Sequence, residues 1–81
     1  MDLVEKAKEF YISEISDYNF YSFLADKTKN PDLKENLLKI AKAEEKHSNF
    51  WKYFITSRGY SLPEIPQGYT KNKFWQFFAT V

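Results

Sequence analysis

The segment LADKTKNPDLKENL, residues 24–37, contains the end of one helix followed directly by the start of another. Asn30 suits a helix N-cap, because its side-chain oxygen can accept hydrogen bonds from the free backbone N–H groups of the first turn. Pro31 fits the first helical position, and Asp32 lies where the helix dipole favours an acid. This stretch therefore predicts a tight turn between two antiparallel helices.

The sequence on either side of this turn supports both helices. Residues 3–28 contain neither Pro nor Gly and consist mostly of good helix formers. The second helix is predicted from Pro31 to about Arg58, where Gly59 is a natural residue to end it. A Pro-containing linker follows, and a short third helix is predicted from residue 71. We thus expect an all-α fold, with a helical hairpin over residues 1–59 and a linker plus the start of a third helix over residues 60–81, cut from a longer protein.

Composition narrows the classes of function. The chain has 81 residues and no Cys, which excludes a disulfide scaffold and any site ligated by cysteine. Twelve basic and eleven acidic residues are interleaved, which argues against nucleic acid as a partner. We expect a cytoplasmic location, with membrane tethering if a longer parent chain carries a transporter domain. Aromatic residues make up 20% of the chain, more than one hairpin can bury, so we expect a homodimer or a higher oligomer.

Each predicted helix carries a heptad-spaced stripe of apolar residues. In the first helix the stripe is Leu3, Ala7, Phe10, Glu14, Asp17, Tyr21, Leu24 and Thr28; in the second it is Leu33, Leu37, Ile40, Glu44, His47, Trp51, Phe54 and Arg58. Folding the chain between Asn30 and Pro31 brings positions level when their numbers add up to 61. Leu24 then faces Leu37, and Phe10 faces Trp51. The aromatics Tyr11, Phe20, Phe23, Phe50 and Tyr53 lie off these stripes, where they form either a second packing surface or contacts within a higher oligomer.

Three potential metal ligands interrupt these apolar stripes at one level. Glu14 lies level with His47, and Glu44 precedes His47 by three residues, so that both point the same way from the helix. Acids in an apolar layer need a compensating charge, and a cation between them is the simplest one. Carboxylate and imidazole suit iron, manganese or zinc. A paired-metal site of this type needs two Glu-x-x-His motifs, so a twofold dimer would complete it.

The run EISDYNFYSFLADKTKNPDLKENLLKIAKAEEKHSNFW, from Glu14 to Trp51, resembles the first half of rubrerythrin-like, ferritin-like proteins. It is similar to the erythrin domain found ahead of vacuolar-iron-transporter-type membrane domains, and to encapsulated ferritins. The resemblance implies a ferritin-like four-helix bundle made by two chains, with Glu14, Glu44 and His47 as ligands of two iron ions per dimer. It also implies an aromatic near the metal at Tyr21, as a hydrogen-bond or one-electron donor. A second Glu-x-x-His motif, found within one chain in the family, is missing here.

Three classes of function follow. The first is oxidation of Fe(II) by O2 or peroxide, in iron handling or oxidative-stress defence. The second is a metal-responsive dimerisation module of an iron transporter, without turnover. The third is a metal-free interaction domain in which Glu14 and His47 pair directly. Asp17 reads as an ordinary solvated acid, or alternatively as a hydrogen-bond partner that orients His47.

Overall fold

The computed structural model describes residues 2–65 and contains two antiparallel helices. Helix α1 runs over Leu3–Lys27 and helix α2 over Pro31–Thr56, so the predicted helical hairpin is confirmed. The third helix predicted from residue 71, with its aromatic residues, lies outside the described residues. No helix within residues 2–65 is long and apolar enough to cross a membrane.

Capping residues determine where both helices begin. The Asp2 carboxylate accepts a hydrogen bond of 2.9 Å from the backbone N–H of Val4. The Asn30 side chain accepts bonds from the N–H groups of Asp32 and Leu33, at 3.0 and 3.1 Å. Each cap satisfies donors that the first helical turn leaves free. The predicted turn at Asn30 is therefore confirmed at the level of individual hydrogen bonds.

The chain leaves α2 through a left-handed turn at Gly59. Its φ of 82° is a conformation that residues with a side chain rarely adopt. The N–H of Tyr60 donates to the carbonyl of Ile55, and the N–H of Gly59 donates to the carbonyl of Thr56, which is the Schellman pattern. The ring of Tyr60 then lies 5.6 Å from the Lys8 ammonium, so the chain turns back towards α1.

The two helices pack in the predicted register. The rings of Phe10 and Trp51, predicted to be level, have their centroids 4.9 Å apart. Leu24 and Leu37, also predicted to be level, belong to one buried cluster. In both pairs the residue numbers add up to 61, as expected when the chain folds back between Asn30 and Pro31. The turn therefore determines which residues of the two helices meet.

The buried face of α2, however, is rotated from the predicted one. The side of α2 that faces α1 carries an inner stripe: Leu37, Ala41, Glu44, Ser48, Trp51 and Ile55. Four of these are buried and the other two half-buried. A second, outer stripe carries residues seven apart: Leu33, Ile40, His47 and Phe54. Leu33 is 47% exposed and Ile40 is 41% exposed, so their predicted place in the hairpin core is wrong.

The same correction applies to α1. Leu3 and Phe10, predicted to be in the core, are exposed, whereas Val4 and Phe20 are buried. Phe20 was predicted to lie off the stripe, yet it forms the core cluster with Leu24, Ala25 and Leu37, against which Tyr21 packs. The physical reason is that a heptad-spaced apolar pattern is wide enough to span two neighbouring helix faces, of which α1 and α2 bury only one against each other.

Candidate metal centre

Glu14, Glu44 and His47 come together midway along the hairpin. One potential ligand atom from each residue lies within 4.8 Å of the other two, and no second group of this kind occurs among residues 2–65. Nδ1 of His47 is 3.4 Å from a carboxylate oxygen of Glu14, as expected for residues at the same level of the two helices. The structure thus brings together all three predicted ligands, contributed by α1 and α2.

The three residues differ in exposure because they stand on different helix faces. Glu44 belongs to the inner stripe and is half-buried between the helices. His47 belongs to the outer stripe, and its side chain is 60% exposed, against 24% for that of Glu14. The ligand group therefore extends from the interface between the helices to the outer surface of α2.

The two carboxyl groups strongly influence each other. The pKa of Glu44 rises from 4.5 to about 7, first because its carboxyl hydrogen-bonds to Glu14, then because it is buried and because the Glu14 charge repels its ionised form. In the absence of a metal ion, the most stable state of the pair is therefore the one in which the two carboxyl groups share one proton. A cation would replace that proton and satisfy both carboxylates.

The site lies between two apolar layers. On one side, the rings of Phe10 and Trp51 pack together one helical turn away from Glu14 and His47. The ring centroids of Phe50 and Phe54 lie 4.8 and 5.9 Å from that of Trp51. The opposite side leads towards the core cluster around Leu24 and Leu37. These surroundings weaken solvent screening at the half-buried Glu14 and Glu44 and strengthen their preference for a compensating charge.

Tyr21, the predicted donor near the metal, lies apart from the three ligands. It is seven residues from Glu14, about 10 Å along the axis of α1. Its ring lies 5.4 Å from that of Phe20, and its described packing is against the core cluster. Asp17, the alternative hydrogen-bond partner predicted for His47, is half-buried on the same helix.

Two buried serines were not anticipated. Ser48 follows Glu44 by one turn, and its hydroxyl donates to the backbone carbonyl of Glu45 at 2.7 Å. The hydroxyl of Ser16 is buried with no hydrogen-bond partner. The position of Ser48 one helical turn after Glu44 is the signal in the sequence that could have predicted its burial. Nothing in the sequence pattern predicts that Ser16 is buried.

Comparison with known families supports the interpretation of this geometry. The rubrerythrin family model matches residues 4–78, nearly the whole chain. The chain belongs to the rubrerythrin family. Membership supports a ferritin-like di-iron domain, and the helical hairpin agrees with it. Comparisons with curated proteins and with solved structures find no significant match.

The donor set of this rubrerythrin-family chain fits iron. Two carboxylates and one imidazole are ligands that non-haem iron accepts, and their separations allow a single ion to contact all three residues. One chain nevertheless provides only one Glu-x-x-His motif, whereas a complete di-iron carboxylate site has two. The described hairpin therefore contains one Glu-x-x-His motif together with one further Glu, Glu14.

Proposed function

We propose that two copies of the chain bind two iron ions between them and oxidise Fe(II) with O2 or peroxide. The observation that carries the proposal is the convergence of Glu14, Glu44 and His47 in a chain of the rubrerythrin family. Two copies supply four carboxylates and two imidazoles. The four negative charges balance the charge of two ferrous ions, so the site needs no further counter-ion.

Each ligand has a distinct task in this proposal. Glu44 lies between the helices and hydrogen-bonds to Glu14, and in a dimer it would be a ligand of the metal pair. Glu14 and His47 of each copy would complete the protein ligands of one ion. Bound iron supplies the electrons that reduce the oxidant. The protein keeps the ligands in place, and the Phe10 and Trp51 rings cover one side of the site.

Proton balance also follows from the apo structure. Binding a metal ion displaces the proton that Glu44 shares with Glu14, so uptake releases protons near neutral pH.

Tyr21, two helical turns away, is proposed as a one-electron donor rather than a ligand. Tyr21→Phe should then leave iron stoichiometry unchanged and alter only the rate or the products of oxidation.

The direct test is anaerobic titration with Fe(II), followed by exposure to O2. We expect about one iron per chain, with at least tenfold weaker binding in Glu14→Ala, Glu44→Ala and His47→Ala. Glu45→Ala is the matched control, because Glu45 is exposed and adjacent to Glu44 but outside the ligand group. Wild-type binding equal to that of Glu44→Ala would refute the metal site.

The alternatives separate in the same experiment. A metal-responsive dimerisation module would bind iron stoichiometrically but oxidise it no faster than buffer does. A metal-free interaction domain, for which the 3.4 Å contact between Glu14 and His47 is the favourable observation, would bind none. Zinc or manganese in place of iron would count as support for the site but not for oxidation.

A further inference from the structure

The side of α2 that points away from α1 carries lysines and aromatic residues. Positions two residues apart on a helix point about 200° apart, so the residues that follow the inner stripe by two lie on the opposite side of α2. Together with one lysine between them, we call these exposed residues the far face: Lys39, Lys42, Lys46, Phe50 and Tyr53. Successive members are three or four residues apart, so they form one continuous stripe.

Two large aromatic rings protrude at one end of the far face. Tyr53 is 72% exposed and Phe50 is 58% exposed, the two largest values for aromatic residues within the described part of the chain. Single exposed apolar residues are ordinary. Two large rings three residues apart, by contrast, are neighbours on the helix surface and form an apolar patch of the kind that marks an interaction site.

The rest of the far face is positively charged. Lys39 is paired with Glu35, with 3.6 Å between Nζ and the carboxylate oxygen. Lys42 and Lys46 form no ion pair with an acid of residues 2–65, and α2 contains no Asp or Glu after Glu45. Two uncompensated cations therefore stand beside two exposed rings.

The shape of this surface indicates what kind of partner it fits. The outer side of a single helix is convex, so its rings protrude and need a surface that they can enter. The boundary between lipid headgroups and acyl chains is such a surface, because it accepts aromatic rings while lysines reach anionic headgroups. The far face extends along α2 from Lys39 to Tyr53, about 21 Å, so all its members can touch one plane parallel to the helix axis.

We propose that the far face of α2 binds the surface of an anionic lipid membrane, with the helix axis parallel to the membrane plane. Phe50 and Tyr53 enter the headgroup region, where the Tyr53 hydroxyl stays in contact with water. Lys42 and Lys46 contact lipid phosphates, and their apolar stems lie along the membrane surface.

This membrane contact is compatible with the proposed metal centre and independent of it. Lys46 precedes His47 by one residue, and Tyr53 precedes Phe54 by one, so the far face lies about 100° around α2 from the outer stripe. A second copy that approaches from the side of His47 would leave the far face uncovered. Glu44→Ala should therefore bind membranes as wild type does, and failure of either proposal can be recognised without the other.

The test is sedimentation of the full chain with lipid vesicles. Wild type should bind phosphatidylcholine vesicles that contain roughly 30% phosphatidylglycerol, and bind pure phosphatidylcholine about tenfold more weakly. Replacing both Lys42 and Lys46 by Gln should weaken binding to the anionic vesicles about 30-fold, the effect of two charges close to the surface. The matched control replaces Lys34 and Lys52, which are exposed on a different side of α2, and should change binding less than about threefold.

The aromatic part of the surface is tested separately. Phe50→Ala and Tyr53→Ala should each weaken vesicle binding about fivefold, whereas Leu3→Ala, at a 71% exposed position of α1, should not. The chain has no native Cys, so a polarity-sensitive dye can be attached to Tyr53→Cys and, as the control, to Lys34→Cys. Only the dye at position 53 should report an apolar environment when anionic vesicles are added.

Several results would overturn the proposal. Absence of wild-type binding, or equal effects of the two lysine pairs, would mean that the far face is not a membrane contact. Binding to soluble polyglutamate as tight as binding to vesicles, with no effect of Phe50→Ala or Tyr53→Ala, would indicate an acidic protein as the partner. Loss of self-association in the aromatic variants without lipid would instead make the far face a contact between copies.

Discussion

Replacing Glu44 by Gln should make the metal-free protein more stable at pH 8. In the folded chain the pKa of Glu44 is about 7, compared with 4.5 for the ordinary group, because Glu44 shares a hydrogen bond with Glu14 and is partly buried. At pH 8 the wild-type hairpin therefore holds two ionised carboxylates next to each other. A glutamine amide carries no charge and can still donate to Glu14.

The direction of the pH dependence follows from proton linkage. The folded state binds a proton at Glu44 more tightly than the unfolded state does, so this contribution to stability is complete below pH 4.5 and is lost as the pH rises through about 7. The difference between the two pKa values corresponds to roughly 3 kcal/mol for a fully buried group. Partial solvent exposure reduces this to roughly 1–2 kcal/mol.

The assay is urea unfolding followed by circular dichroism, in EDTA, at pH 5 and pH 8. All samples are compared at one chain concentration, because self-association adds to apparent stability. Glu44→Gln should exceed wild type by about 1–2 kcal/mol at pH 8 and by much less at pH 5, where most of the Glu44 contribution is retained. The exposed neighbour Glu45→Gln is the control and should follow wild type at both values.

Two results would refute this reasoning. If Glu44→Gln were no more stable than wild type at pH 8, the carboxylates would not repel each other in the folded protein. If the variant were stabilised equally at both pH values, the effect would come from packing or helix propensity and not from ionisation. The expected result would mean that the ligand group destabilises the metal-free hairpin at pH 8.

The remaining predictions concern the hairpin itself. Ile55→Ala should lower the free energy of unfolding by about 2–4 kcal/mol, since Ile55 is fully buried, while Leu38→Ala should change it by less than about 0.5 kcal/mol; urea midpoints would show whether the two differ. Asn30→Ala should cost about 1 kcal/mol by removing the cap of α2, and Asn30→Asp should recover most of it in thermal melts. Gly59→Ala should cost about 1 kcal/mol through its positive φ alone, because an added Cβ meets nothing within 4 Å; an unchanged melting temperature would contradict this.

The architecture of the hairpin was largely predictable from local sequence. The turn at Asn30 and Pro31 depends on capping and backbone restrictions that operate within a few residues, so no tertiary information was needed. The register followed from the turn, because two antiparallel helices joined by a short loop have only one alignment. Phe10 against Trp51 and Glu14 against His47 confirm it.

The three members of the metal group were predictable for the same reason. Heptad spacing predicted that Glu14, Glu44 and His47 lie at one level of the hairpin. The free-energy cost of burying acids in an apolar layer indicated that they bind a cation. Tyr21 and the iron-oxidising activity came from a family resemblance, and neither follows from the hairpin geometry. They remain proposals that the titration and the Tyr21→Phe variant would test.

The sequence by itself determined the helices, the turn, the register and the three residues that meet midway along the hairpin. Only the tertiary structure decided which face of each helix is buried. Ile40 and Ala41 are neighbours separated by about 100° around α2, and both suit an apolar surface. Packing against α1 buries Ala41 and leaves Ile40 exposed, because α1 covers only one face of α2. As a consequence, His47 lies on the exposed side of α2.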